Sequence, residues 1–169
     1  MNYLLMNIAL ALAWAALTAR FEPANLLIGF GLGYLILLAA RRALRPTAYF
    51  GAVRRALSFA AFFLRELIVA NLRVTADVLT PRHHMQPRVI ALLLDARTDA
   101  EIMMLANLIS LTPGTLSLDV STDRRTLYIH AMYAADAEAV RREIKDGLER
   151  RLLALLRGTE PHPGQEAAL

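Results

Sequence analysis

Arg65-Glu66, set between the apolar stretches 56–64 and 67–72, are the side chains best placed to do chemistry, because a charged pair at membrane depth marks an ion or proton route. On a helix lying in the membrane interface the same pair is only the wet face. His83-His84 offer metal ligands, but adjacent histidines point in different directions and no carboxylate or third histidine stands at ligand spacing. Both read as solvated residues of a linker, 81–87, bounded by Pro81 and Pro87. Gly29-Phe30-Gly31-Leu32-Gly33 resembles a phosphate loop at a glance, yet no strand precedes it and its surroundings are apolar. His130, on the outward side of an expected strand near Tyr128, reads as a surface histidine. The chain has no cysteine, which excludes disulfides, zinc–cysteine sites and thiol catalysis. With no general-acid pair, activated nucleophile, metal cluster or P-loop, the sequence predicts neither an enzyme nor a cofactor.

The elements carrying these residues begin in lipid. Of 169 residues 56% are hydrophobic, more than a soluble domain of this size carries. Charge is uneven: residues 1–60 hold six arginines against the single acid Glu22, while the rest holds a slight excess of acids. The basic balance is therefore a topology signal and not a nucleic-acid one. Two charge-free runs, about 2–19 and 24–40, approach the roughly 17–25 residues a spanning helix needs. The connection between them is short and holds Pro23, which predicts an antiparallel hairpin. No Lys or Arg precedes the first run, so it is expected to be retained and not cleaved as a signal peptide. Arg41, Arg42, Arg45, Arg54 and Arg55 then put both hairpin ends in the cytoplasm. Ala9 and Ala13, like Ala11 and Ala15, repeat at four-residue spacing, and Gly29 and Gly33 form GxxxG, so these are the expected packing faces, toward the partner span or another subunit.

Residues 46–80 read as an amphipathic helix. At about 100° per residue, Arg54, Arg55, Arg65, Glu66, Arg73 and Asp77 share one arc, with Phe62 among them, while Leu57, Ala60, Leu64, Leu67 and Ile68 lie opposite. Such a helix is expected in the membrane interface or against partner helices, with a third span as the alternative. Asn71 stands on the apolar side, where a hydrogen bond to another helix is expected.

From residue 88 to 157 the pattern is that of a small α+β domain, βαββα in order, with a two-layer arrangement and a cytoplasmic location. The run 89–94 reads as a strand buried on both faces. Thr98 and Glu101 form a capping box for a helix with Ile102, Leu105, Ala106 and Ile109 on one side. Leu111-Thr112-Pro113-Gly114-Thr115 ends that helix in a type II turn. Leu116, Leu118 and Val120, then Leu127, Ile129 and Ala131, alternate as a strand pair. Asp136 caps a last helix whose Val140, Ile144, Leu148, Leu152 and Leu155 share a face and which Gly158 ends. A free sheet edge is expected to meet a partner or the linker, and 158–169 reads as a disordered tail.

Leu111-Thr112-Pro113-Gly114-Thr115 followed by Leu127-Tyr128-Ile129-His130 resembles the E subunit of multisubunit monovalent cation/proton antiporters of the Mrp type. Trp14, Gly29 to Tyr34, Arg65-Glu66-Leu67-Ile68, Ala70-Asn71-Leu72, Ile144 and Glu149 extend the resemblance over about residues 2–156. It implies a small accessory subunit of a sodium or other monovalent-cation antiporter in the bacterial cytoplasmic membrane, with the ion path mainly in larger subunits. The expected partners are those subunits and the lipid bilayer. The alternative, from another class, is a stand-alone membrane-anchored sensor or ligand-binding module.

Overall fold

The computed structural model describes residues 3–40, 48–80 and 85–158. His83-His84, Arg41, Arg42, Arg45 and the tail beyond Gly158 lie outside them. The chain divides into two compact units, residues 1–54 and 55–169.

In the first unit α1 (Tyr3–Leu17) and α2 (Pro23–Ala40) pack on each other, running in opposite directions. Their buried positions are Tyr3, Asn7, Ala11 and Ala15 on α1 and Gly29, Gly33 and Leu37 on α2, a strict four-residue repeat on both sides. Such a repeat keeps one stripe of each helix facing its neighbour. The turn between them is built from local chemistry. Ala19 takes the left-handed conformation at φ 52°, and Arg20 N–H and Ala19 N–H bond back to the Ala15 and Ala16 carbonyls, closing α1 in a Schellman motif. Pro23 then opens α2 at the first helical position, where its missing N–H costs nothing. Asn25 clamps the turn: it accepts from Trp14 Nε1 at 3.0 Å and donates to Thr18 Oγ1 and the Arg20 carbonyl at 2.7 Å each.

α3 (Ala48–Leu79) is a helix of 32 residues. In the second unit β1 (Arg88–Leu93), β2 (Thr115–Val120) and β3 (Thr126–Ala131) form an antiparallel sheet in the order β1-β3-β2. α4 (Asp99–Leu111) and the C-terminal helices supply the apolar layer against its inner side. Leu92, Leu127 and Ile129 meet Leu105, Ile109 and Leu152 in the main core, with Phe59 of α3 against it. Each such side chain contributes about 1.5–3 kcal/mol by leaving water. The capping box at Thr98 and Glu101 is complete, the Asp136 carboxylate caps α5 (Ala137–Arg142), and Gly158 ends α6 (Arg150–Arg157) at φ 72°.

Three sequence expectations need correction. The run 89–94 is not covered on both faces: Ile90 and Leu92 are 1% and 2% exposed, but Val89 and Leu93 are 61% and 70% exposed, because the helices cover one side only. Alternation in β2 breaks at a bulge at Leu118, so Ser117 and Val120 turn inward while Leu116 and Leu118 stay half exposed; Ser117 Oγ meets its need by donating to the Ala106 carbonyl at 3.0 Å. The last helix is not a continuous α-helix. A π-helical stretch, Glu143–Glu149, separates α5 from α6 and shifts the inward register onto Glu149, Leu152, Leu153 and Ala154.

The free β1 edge is met by helix side chains instead of the linker. Arg141 Nε donates to the Ala91 carbonyl at 2.9 Å and Lys145 Nζ to the Leu93 carbonyl at 2.5 Å, which blocks strand addition there.

Candidate subunit and membrane interfaces

The seam between α1 and α2 is too close for side chains at two of the three neighbouring glycines. A Cβ on Gly29 would stand 3.0 Å from the Ala11 carbonyl and 2.9 Å from the Trp14 ring, and one on Gly33 would stand 2.3 Å from Asn7 Oδ1. Gly31 has open space around it. Gly29 and Gly33 thus face the partner helix of their own hairpin. Ala9 and Ala13 lie on the exposed side of α1, and the packing stripe is the neighbouring one, Ala11 and Ala15. Asn7, a residue outside the expected packing faces, is fully buried in this seam. Its Nδ2 donates to Tyr49 Oη of α3 at 2.8 Å, and its Oδ1 sits over Gly33. Tyr3, Tyr34, Tyr49 and Phe50 gather around this bond with ring centroids 5.5–6.1 Å apart, so the first turn of α3 is held on the hairpin by aromatic contacts.

Along α3 the charged arc is only partly wet. Arg54, Arg65 and Arg73 are exposed, but Arg73 stands over the Tyr133 ring at 5.8 Å, Asp77 is buried beside the Tyr133 hydroxyl, and Phe62 packs under the Arg151 guanidinium at 4.5 Å. That explains an aromatic ring among charges. Burial, then the Asp77 carboxylate, pushes the Tyr133 phenol pKa upward. Arg65 and Glu66 pair with each other at 2.8 Å, their side chains 72% and 26% exposed, at the mouth of a cleft of about 360 Å³ between α3 and the domain. Leu57, Leu64, Ile68, Leu72, Val78 and Leu79 are exposed on α3. Asn71, expected to bond another helix, donates to the Leu67 carbonyl of its own helix at 2.7 Å and is exposed.

The Leu111–Thr115 segment closes α4, and its Thr112, Pro113, Gly114 and Thr115 line the same cleft while Leu111 is exposed. Thr112 is extended, Thr115 N–H bonds the Thr112 carbonyl at 3.1 Å across the turn, and Gly114 has φ 90°. A Cβ there would also stand 3.3 Å from the Tyr133 ring. Gly114→Ala is expected to cost about 1–2 kcal/mol, read as a lower thermal midpoint of the purified chain.

Two buried carboxylates organise the domain's far end. Glu101 accepts from the N–H of Arg97 and Thr98 and receives a two-pronged bond from Arg157, Nε at 2.8 Å and a terminal nitrogen at 2.9 Å. Arg157 first, then the Arg97 amide, lowers its pKa from 4.5 to about 2. A carboxylate held low stabilises the fold above its unfolded pKa, so this contribution is whole at neutral pH and is lost as pH falls from 4.5 towards 2. The thermal midpoint should therefore fall more steeply with acid in the native chain than in Glu101→Gln. Glu149 is 1% exposed; its Oε1 accepts from the N–H of Asp95 at 2.6 Å and Ala96 at 3.0 Å, and Lys145 Nζ is 3.4 Å from Oε2. It pins the loop after β1 to the π-helical stretch. Among the described residues no cluster of His, Asp and Glu is placed to hold a metal ion.

Comparison with known proteins places this arrangement. Residues 7–155 match the model of a Na+/H+ ion antiporter subunit family, MNHE. The E subunit of the Na(+)/H(+) antiporter of Alkalihalophilus pseudofirmus is 38% identical over 150 residues, covering 89% of this chain and 95% of that one. Its counterpart in Bacillus subtilis is 37% identical over 147 residues, covering 87% and 93%. Among solved structures, a chain of the membrane-bound sulfane sulfur reductase, an archaeal respiratory membrane complex, is 28% identical with a TM-score of 0.51, covering 90% of this chain and 98% of that one. With the match running from Asn7 in the helical seam to Leu155 in α6, the chain belongs to the Na+/H+ ion antiporter subunit family, in its E-subunit branch.

Proposed function

We propose that the chain is an accessory subunit of a multisubunit Na+/H+ antiporter that supplies packing surfaces to the complex. The observation that carries this is the large apolar surface left uncovered, above all the side of α3 that bears Leu57, Leu64, Ile68 and Leu72. α2 is long and apolar enough to cross a membrane, and α1 is apolar over 15 residues. In this reading both span the bacterial cytoplasmic membrane as a hairpin, with the arginines after residue 40 at the cytoplasmic side. In the same reading α3, amphipathic along its length, lies in the membrane interface and the α+β domain is cytoplasmic. Arg65 and Glu66 then serve as interfacial charges.

The test is purification of the tagged chain from its native membrane in gentle detergent, with mass spectrometry of what accompanies it. Several polytopic proteins in stoichiometric amount are expected; recovery alone would favour the stand-alone module. Antiport by complexes carrying Glu66→Gln should equal that of the native complex at equal expression, and a changed rate would move Glu66 into the ion path.

A further inference from the structure

The sheet presents its outer side bare. Val89, Ala91 and Leu93 of β1, Tyr128 of β3 and Leu116 and Leu118 of β2 are all exposed on it or beside it, although β1 has the continuous apolar run of a strand covered twice. We propose that this face seats one apolar helix of a neighbouring subunit, a site that rests on the reading of the chain as an antiporter subunit.

Geometry selects the shape of the occupant. Strand addition is opposed at β1 by Arg141 and Lys145 and at β2 by Ser110, whose Oγ takes the outward Ser117 N–H at 3.1 Å. A partner must then lie across the face. Two strand spacings of about 4.8 Å make a surface about 10 Å wide, the diameter of a single helix. Layered α/β folds cover a sheet in this way, and here no second layer stands on this face among the described residues.

Charge selects its chemistry. The outward positions of the three strands hold no Lys or Arg; their ionisable groups are Asp119, Tyr128 and His130. Of the cations along the β1 edge, Arg141 pairs with Glu138, and Lys145 with Asp95 and Glu149. Exposed Arg88 and Arg125 stand at strand ends, but among the described residues no Lys or Arg stands within the face, so its apolar centre offers anionic headgroups no charge partner. It fits a protein helix with an apolar stripe and a hydrogen-bond donor opposite Asp119.

The absence of native cysteine makes the test direct. Val89→Cys and Leu116→Cys are made in the full chain and labelled with a maleimide, first with the chain alone in vesicles of phosphatidylethanolamine and phosphatidylglycerol, then in the purified complex in the same vesicles. Labelling should be fast in the chain alone and about tenfold slower or more in the complex, as at the water-excluding centre of an interface. A photocrosslinker at Leu93 should join the chain to one larger subunit. Fast labelling in a complex that retains its other subunits would overturn the proposal and leave the subunit reading intact. Protection in vesicles without partners would make the bilayer the occupant, and a disulfide-linked dimer through Leu116→Cys would make it a second copy; either result overturns the helix. Purification without any other subunit would overturn both readings together.

Discussion

Replacing Gly33 by leucine should separate α1 from α2 and lower recovery of the assembled complex severalfold, while Gly31→Leu, two positions away and out of the seam, should leave both unchanged. The two glycines differ in surroundings and not in conformation. A Cβ on Gly33 falls 2.3 Å from Asn7 Oδ1 and 3.1 Å from Leu10 Cβ, and the Asn7 amide has little freedom to retreat because it is fully buried and held by Tyr49. Overpacking of this kind costs about 1–3 kcal/mol for a single methyl-sized intrusion, and a leucine intrudes further. In lipid no hydrophobic force pulls the helices back together, so lost van der Waals contact is lost association. The readout is complex yield at equal expression together with the thermal midpoint in detergent. Equal behaviour of the two variants would remove the seam as the reason for GxxxG.

Glu149→Leu is expected to destabilise the α+β domain by about 3 kcal/mol, because two backbone N–H groups lose their acceptor at a position closed to solvent. Against a total stability of about 5–15 kcal/mol that is a large share. Glu149→Gln keeps an oxygen that can accept from Asp95 and Ala96 and should cost about 1 kcal/mol. Lys145 contributes little to the difference, since it retains Asp95 at 2.9 Å and the Leu93 carbonyl. Urea unfolding of the three chains orders them, and amide hydrogen exchange at Asp95 and Ala96 locates the cause. A leucine variant within about 0.5 kcal/mol of the native chain would mean that the loop is held by something else.

Where local chemistry decides structure, the sequence was readable. Thr98 and Glu101 specify a helix start, Thr112-Pro113-Gly114 a stop, and the alternation of Leu127, Ile129 and Ala131 an inward face, and each needs only its immediate neighbours. What failed depended on a distant partner. A helical wheel groups Arg73 and Asp77 on one side of α3 but does not say whether that side meets water or Tyr133. The bulge at Leu118 and the π-helical stretch each shift a register that periodicity assumes constant. Glu149 had a signal: it is one turn before Leu152, at the margin of the apolar stripe, where a carboxylate can turn either way. Asn7 had one too, as a polar residue in a charge-free run at four-residue spacing from Ala11 and Ala15.

The Asn7–Tyr49 bond also has a bearing on how the protein is made. Asn7 leaves the ribosome 42 residues before Tyr49, with the whole of α2 in between. In a membrane-inserted chain its carboxamide would therefore enter the bilayer during synthesis while its partner was still unmade, and would wait there with a polar group unpaired. Completion of α2 supplies the glycine notch, and the first turn of α3 supplies the hydroxyl. The third helix thus gives the first its hydrogen-bond acceptor only after the hairpin is complete, so the order of synthesis sets the order in which this seam can close.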